Sequence, residues 1–420
     1  MPIPTLPPEL WREIVSLATY TPTCFNTSER PDTWKPVTDD LIERYGYNLQ
    51  TKRALAFVSK QFYQMTLEFL CDIIILCSLD YDPEAGITCR KLGRVASLMP
   101  YLPTTEHLLV ESINVGDFDD VALQLVQILR QCHSLRGLHL TFPKLRVDAD
   151  TRTAQLDVHE LSMHMRIAKA VSPGLRFLSI SWGMWENAYA TLLNQVSRTL
   201  RSHRLSAYVR NSHLDAVGRT IAHYPDGIIL PQFKYFHLPL WRDTTLAFSK
   251  FNMCALTHLV IGIPTPRNAL TQILESARDS ILTLRFDGRC TVDDDVLSIA
   301  LRASHLQLLA YWIRRPVEPQ SVVWLTDGLR HDQLREISLG YALHPSPFGT
   351  ADSDEIVRDH FHPISKRKFP MLKTVTVAPL VGYGPHDVLA VYDLEDGRRL
   401  EDEDTITVTP IKLYFHGPNC

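Results

Sequence analysis

The chain has 420 residues, 45% hydrophobic and 21% charged, with 18 glycines and 27 prolines. This composition excludes general disorder and any collagen-like or glycine-rich chain. Forty-three basic against 47 acidic side chains give a net charge of −4, which offers no overall electrostatic drive toward nucleic acid or an anionic membrane. Neither is an expected partner. Seven acids and two bases fall between Asp393 and Asp404, so the acidity belongs to one short segment, read as a solvated loop or chain-end cap.

Met1 to Tyr20 has no basic stretch before an apolar one, and the aliphatic run Ile73 to Leu76 is far short of a membrane span. Eight scattered cysteines form no CxxC pair, the pattern of reduced thiols rather than of a disulfide framework or zinc site. The expectation is a soluble intracellular protein, cytoplasmic or nuclear.

In chain order, the first predicted element is a helix. Leu10, Ile14, Leu17 and Ala18 recur at helical spacing behind Leu6-Pro7-Pro8-Glu9, and the prolines suit a first turn. A second helical segment runs through Leu55, Val58, Ser59, Phe62, Met65, Phe69 and Leu70, with Lys52, Arg53 and Lys60 on other faces. Two apolar stripes must face each other or a partner.

Together, LPPELWREIVSLA and LAFVSKQFYQMTLEFL resemble an F-box, whose pattern is LPxELxxxIxxL followed by LxxVCxxWxxLxxxxL. Ser59 stands where cysteine is common, and Phe62 where tryptophan is common. Residues 21–50 separate the halves, where the family has only a few. In this the chain resembles the F-box-like proteins abundant in mushroom-forming fungi, in which leucine-rich repeats follow the box. The resemblance implies that the box, residues 1–71, binds a Skp-type adaptor and, through it, a cullin-RING ubiquitin ligase. By motif position, Leu6, Pro7, Pro8, Glu9, Leu10 and Ile14 carry the first adaptor contact, and Val58 and Phe62 the second. A small helical box lacks the core for independence, so burying its apolar edge against an adaptor is physically sensible. Burial on the chain's own first repeats is the alternative.

After a connector, 72–104, the template LxxLxL recurs: Leu135-Leu138-Leu140, Leu175-Leu178-Ile180, Phe233-Phe236-Leu238, Leu256-Leu259-Ile261, Ile281-Leu284-Phe286, Leu306-Leu309-Tyr311, Leu334-Ile337-Leu339 and Leu372-Val375-Val377. Looser copies open at Thr105 and Leu205. Most steps are 23 to 30 residues, close to the leucine-rich-repeat period of about 20–29. Two longer steps contain the polar stretches Pro143 to Asp157 and His344 to Lys368, read as loop insertions. Between strands, apolar stripes at Val121, Ala122, Leu125, Val126 and Leu129, at Ala269, Leu270, Ile273, Leu274 and Ala277, and at Val296, Leu297, Ala300 and Leu301 predict helices. A strand-loop-helix unit this small buries its stripes only by stacking on neighbours. The expected fold is α/β, a small helical F-box-like module before an irregular leucine-rich-repeat solenoid over residues 105–380, a horseshoe, with a cap or tail at 381–420. The Asn or Cys usual after each strand in that family is largely missing, with Trp182, Pro264, Gly288 and Arg314 near its place.

Alternation points the template's apolar residues into a core and the residues between them onto the opposite face. Directly after the first apolar position stand Arg136, Arg176, Lys234, Arg335 and Lys373, with His139, Phe177, Tyr235, His237, His258, Arg285 and Trp312 nearby. These are the expected contacts to a protein substrate, one with an acidic or phosphorylated segment; plain solvation of a strand edge is the alternative.

No GxSxG, GxxxxGK[ST] or GxGxxG pattern occurs. His159-Glu160 to His164 places its histidines five apart, about 140° around a helix, so the pair does not share a face. His360-Phe361-His362 lacks neighbouring cysteines and offers only Asp359 as an adjacent acid. No catalytic residue, metal or cofactor is assigned. The expected function is substrate recognition for a Skp-cullin-F-box ubiquitin ligase; the alternative is a non-catalytic repeat scaffold that joins no ligase.

Overall fold

The structure, a computed structural model, describes residues 6–18, 39–70, 72–76, 99–110, 118–140, 154–181, 184–205, 209–210, 227–238, 251–262, 267–286, 292, 294–314, 330–342, 368–380 and 390–393. The chain divides into two compact units, Met1–Ile228 and Ile229–Cys420. Each is mixed α/β with a predominantly parallel sheet.

The first unit opens with three helices, α1 (Pro8–Ala18), α2 (Asp39–Ala56) and α3 (Lys60–Leu70). Its main strands are β1 (Ile73–Leu76), β2 (His107–Val110), β3 (Gly137–Leu140), β4 (Phe177–Ile180) and β6 (Ser202–Leu205), each parallel to the next. Helices α4 (Phe118–Gln131), α5 (Ala154–Ala170) and α6 (Glu186–Val196) alternate with them, and a short parallel pair, β5 (Met184–Trp185) and β7 (Val209–Arg210), lies apart. In the second unit, β8 (Tyr235–Leu238), β9 (His258–Ile261), β10 (Thr283–Phe286), β11 (Leu308–Arg314), β12 (Glu336–Ala342) and β13 (Thr374–Leu380) run parallel in sequence order. Helices α7 (Arg267–Ser276) and α8 (Asp294–Ala300) cross between them, and β14 (Ala390–Asp393) closes antiparallel on β13.

Register follows the template. Leu138 stands opposite Leu108 and Leu178; Leu284 stands opposite Leu259 and Leu309. These leucines are fully buried, as is the helical stripe Ala122, Leu125, Val126 and Leu129. One backbone device repeats. The carbonyl of the residue just before a strand accepts two N–H groups from the following repeat, at 2.7–3.0 Å for Asp72, Glu106, Arg136 and Arg176. The second unit repeats it at 2.8–3.1 Å for Lys234, Thr257, Leu282, Gln307 and Arg335. Both lone pairs of each acceptor are thus used, which fixes the register without side-chain help.

The template also extends upstream. The N–H of Leu135 donates to Cys132, of Phe233 to Leu230, of Leu256 to Met253, of Leu306 to Ala303 and of Leu372 to Phe369, at 2.9–3.3 Å. Each acceptor residue is buried: Cys132, Leu230, Met253, Ala303 and Phe369 all lie in the core. At the turn before Leu334 a histidine ring replaces the carbonyl. The buried His331 accepts the N–H of Leu334 at Nδ1, 3.1 Å, and its Nε2 lies 2.9 Å from the Ala303 carbonyl, so the proton sits on Nε2.

Several expectations are corrected. The apolar segment through Leu55 and Phe69 is not one helix: α2 ends at Ala56, and α3 begins after Ser59, whose Oγ accepts the Phe62 N–H at 3.2 Å. The insertion at 21–50 supplies the start of α2, from Asp39. Within the connector, Ile73–Leu76 pairs with β2 as a first rung. The copy read as opening at Leu205 instead runs Leu200-His203-Leu205, because His203 stands opposite Leu178. Its Nδ1 lies 2.9 Å from the Leu178 carbonyl and its Nε2 meets the Tyr189 hydroxyl, so the imidazole is satisfied in a leucine's place. The polar stretch Pro143 to Asp157 is helical from Ala154 onward.

Replacing His331 by alanine removes its buried hydrogen bonds and is expected to cost about 2–3 kcal/mol in urea unfolding. Arg330→Ala, at an exposed site, is the control; equal effects of the two would show that the imidazole does not hold the turn.

Candidate functional site

Helix α1 begins where the prolines lead: the Pro7 carbonyl accepts from the N–H of Leu10 and Trp11 at 3.0 and 3.2 Å, and Pro8, lacking an N–H, leaves no donor unmet. One side of α1 rests on α3. Val15 is buried, and Trp11 meets Phe62 edge-on with ring centroids 5.0 Å apart. The other side is bare: Leu6, Leu10, Ile14 and Leu17 are 36, 45, 43 and 72% exposed. Phe57 and Val58, in the turn between α2 and α3, are 87 and 64% exposed. Of the expected adaptor contacts, Leu6, Pro7, Pro8, Glu9, Leu10, Ile14 and Val58 are therefore exposed, and Phe62 is half-buried against Trp11.

An ion pair ties the module to the sheet. Lys52 of α2 is fully buried, with Nζ 2.7 Å from Asp72 Oδ1, and the same carboxylate oxygen accepts the Ile73 N–H at 2.8 Å. Asp72 is also the first double-acceptor rung.

The expected substrate contacts separate by unit. In the second, Lys234, Arg335 and Lys373 are exposed, and Tyr235, His237, His258 and Arg285 are half-buried on alternate positions. Tyr235 stacks on His258 across adjacent strands at 6.5 Å, and the Thr257 hydroxyl lies 2.7 Å from His258 Nδ1. Trp312 stands opposite Gly340 in β11; its side chain lies outside the described residues. In the first unit, Arg136 and Arg176 are exposed, but His139 and Phe177 are buried, so neither offers a surface to a ligand. The physical reason is in the strands. Ile73, Ile75, Leu109 and Phe177 occupy alternate positions expected to be polar, giving strands that are apolar on both faces, as buried parallel sheets require. Arg201, half-buried, precedes β6, and its N–H donates to the Arg176 carbonyl at 2.8 Å.

Two imidazoles feel this enclosure. Burial, aided by the Arg136 guanidinium, holds His107 down at about 4; burial and Arg204 do the same to His139. Burial pushes the Cys132 thiol up to about 12, which leaves it protonated and inert. His164 is buried in α5, and no group of three metal-ligating side chains occurs among the described residues. His360 to His362 and residues 394–404 lie outside them. Among the described residues, no helix is long and apolar enough to cross a membrane.

No family model matches the chain, and no curated protein matches it.

Because His107 and His139 fold as neutral groups with lowered affinity for protons, their contribution to stability is complete above pH 6.5 and is lost as pH falls toward 4. Each imposes a slope of up to about 1.4 kcal/mol per pH unit in that window. Urea midpoints measured from pH 7 to 5 should fall, and His139→Gln should flatten the fall. A midpoint indifferent to pH would contradict this electrostatic picture.

Proposed function

We propose that this chain is the substrate-recognition subunit of a Skp-cullin-F-box type ubiquitin ligase, with α1 and the α2–α3 turn docking on a Skp-type adaptor and the repeat strands, read as an irregular leucine-rich-repeat solenoid, receiving a protein substrate. The observation that carries the reading is the bare stripe Leu6, Leu10, Ile14 and Leu17, on a helix whose other side is already committed through Trp11 and Val15, together with exposed Val58 in the α2–α3 turn. Exposed apolar side chains at contiguous helical positions mark an interaction site, and an i, i+4, i+8 pattern suits a partner groove. The chain itself is read as carrying no catalysis; it works by proximity, bringing substrate to the ligase.

One observation favours the alternative, a repeat scaffold outside any ligase. Lys52 joins the helices to Asp72, so the module is also suited to capping the first strand.

Co-purification with a Skp-type adaptor and cullin separates the two. Leu10→Ala with Ile14→Ala should weaken adaptor binding at least tenfold, a loss of about 1.4 kcal/mol or more, while leaving the urea midpoint nearly unchanged. Loss of folding in that variant, or adaptor recovery equal to the parent, would favour the cap.

A further inference from the structure

From Ala122 to Leu205 the sequence carries 11 lysines and arginines against five acids, and eight of those cations are among the described side chains. Six flank the helix-to-strand turns of three successive repeats. Arg130 is in the last turn of α4 and Arg136 precedes β3; Lys169 ends α5 and Arg176 precedes β4; Arg198 follows α6 and Arg201 precedes β6. Five are exposed and Arg201 is half-buried. Since β3, β4 and β6 are successive parallel neighbours, the three strand-opening arginines stand about 4.8 Å apart.

Among the described side chains, little offsets this charge. Glu106 approaches Arg136 at 3.6 Å, and both are solvent-accessible, so the pair is weak. Helix C-termini favour cations, which accounts for Arg130 and Lys169 but not for the three arginines at the strand openings. Two rings nearby register the field: beyond the larger effect of burial, Arg136 helps depress His107 on β2, and Arg204 helps depress His139 on β3. The equivalent turns of the second unit differ. There Arg278 adjoins Asp279, and Arg330 binds Asp332 at 2.6 Å.

We propose that this turn edge of the first unit binds a carboxylate-rich, extended segment of a protein partner. Arginine forks pair with carboxylates in two-pronged fashion, and three strand openings in a row match a chain laid across the strands. The described side chains of Ala122 to Leu205 offer no exposed Phe, Tyr or Trp ring on which bases could stack, only the imidazole of His133, which disfavours single-stranded nucleic acid. The inference deepens the receptor reading by naming a ligand class and surface. Its assay uses no adaptor, so its failure is separable from failure of the ligase reading.

The test is fluorescence anisotropy of a labelled deca-glutamate peptide on the full chain, with a dT10 oligonucleotide in parallel. The parent should bind deca-glutamate, and raising salt from about 50 to 300 mM should weaken it severalfold through screening. Arg176→Glu with Arg201→Glu should reduce binding at least tenfold. Arg130→Gln, Lys169→Gln and Arg198→Gln, confined to exposed helix ends and the adjoining turn, should also reduce it with unchanged thermal unfolding, which guards against misfolding of the first variant. Arg278→Gln with Arg302→Gln in the second unit should leave it unchanged. No binding at low salt, or binding indifferent to both first-unit variants, would overturn the proposal. Tighter binding of dT10 than of deca-glutamate would reassign the edge to nucleic acid.

Discussion

The carbonyl that opens a strand, shared by two N–H groups of the next repeat, is the constraint on which both units depend. It fixes which residue of one repeat faces which residue of the next, and the apolar positions then align as buried columns without further specification. It also explains why the strand-opening positions accept so many side chains. Arginine, lysine, threonine, leucine, glutamine, glutamate and aspartate all serve as rungs, because the backbone makes the bond while the side chain points away from the core. Three successive positions of this kind in the first unit, Arg136, Arg176 and Arg201, carry cations.

The ladder reaches the helical module through Asp72, whose carbonyl supplies the first rung and whose carboxylate holds the buried ammonium of Lys52. A fully buried lysine is tolerable only with such a partner. The joint positions α2, α3 rests on α2, and Trp11 and Val15 fasten α1 to the bundle. What is left over is the opposite side of α1. Its apolar side chains are the ones the proposed function assigns to a partner.

Repeat positions were legible in the sequence because leucine at fixed offsets reports burial directly. Every template copy from Phe233 to Leu372 falls in register. The copy containing His203 was illegible for a matching reason: a polar ring takes the leucine's place, and only the Tyr189 hydroxyl and the Leu178 carbonyl, distant in sequence, make it equivalent. His331 is similar, since a side chain there performs a turn carbonyl's task. Burial of His139 and Phe177 follows from Ile73, Ile75 and Leu109 on the neighbouring strands, a signal present in sequence but visible only once register aligns them. On the N-terminal side, the stripe of α1 was readable from spacing, whereas the break at Phe57 to Ser59 depends on a serine cap that competes with a continuous apolar period.

The central claim is that the bare stripe on α1 exists for a partner. Hydrogen–deuterium exchange on the full chain, with and without a Skp-type adaptor, tests it at the residues concerned. The account predicts that adaptor slows exchange across residues 6–18 and around the turn at 57–59, with the amides of Arg136, Gly137, Arg176 and Phe177 slow in both states because each is already committed to a rung. Exchange over residues 6–18 that is unaltered by saturating adaptor would contradict it.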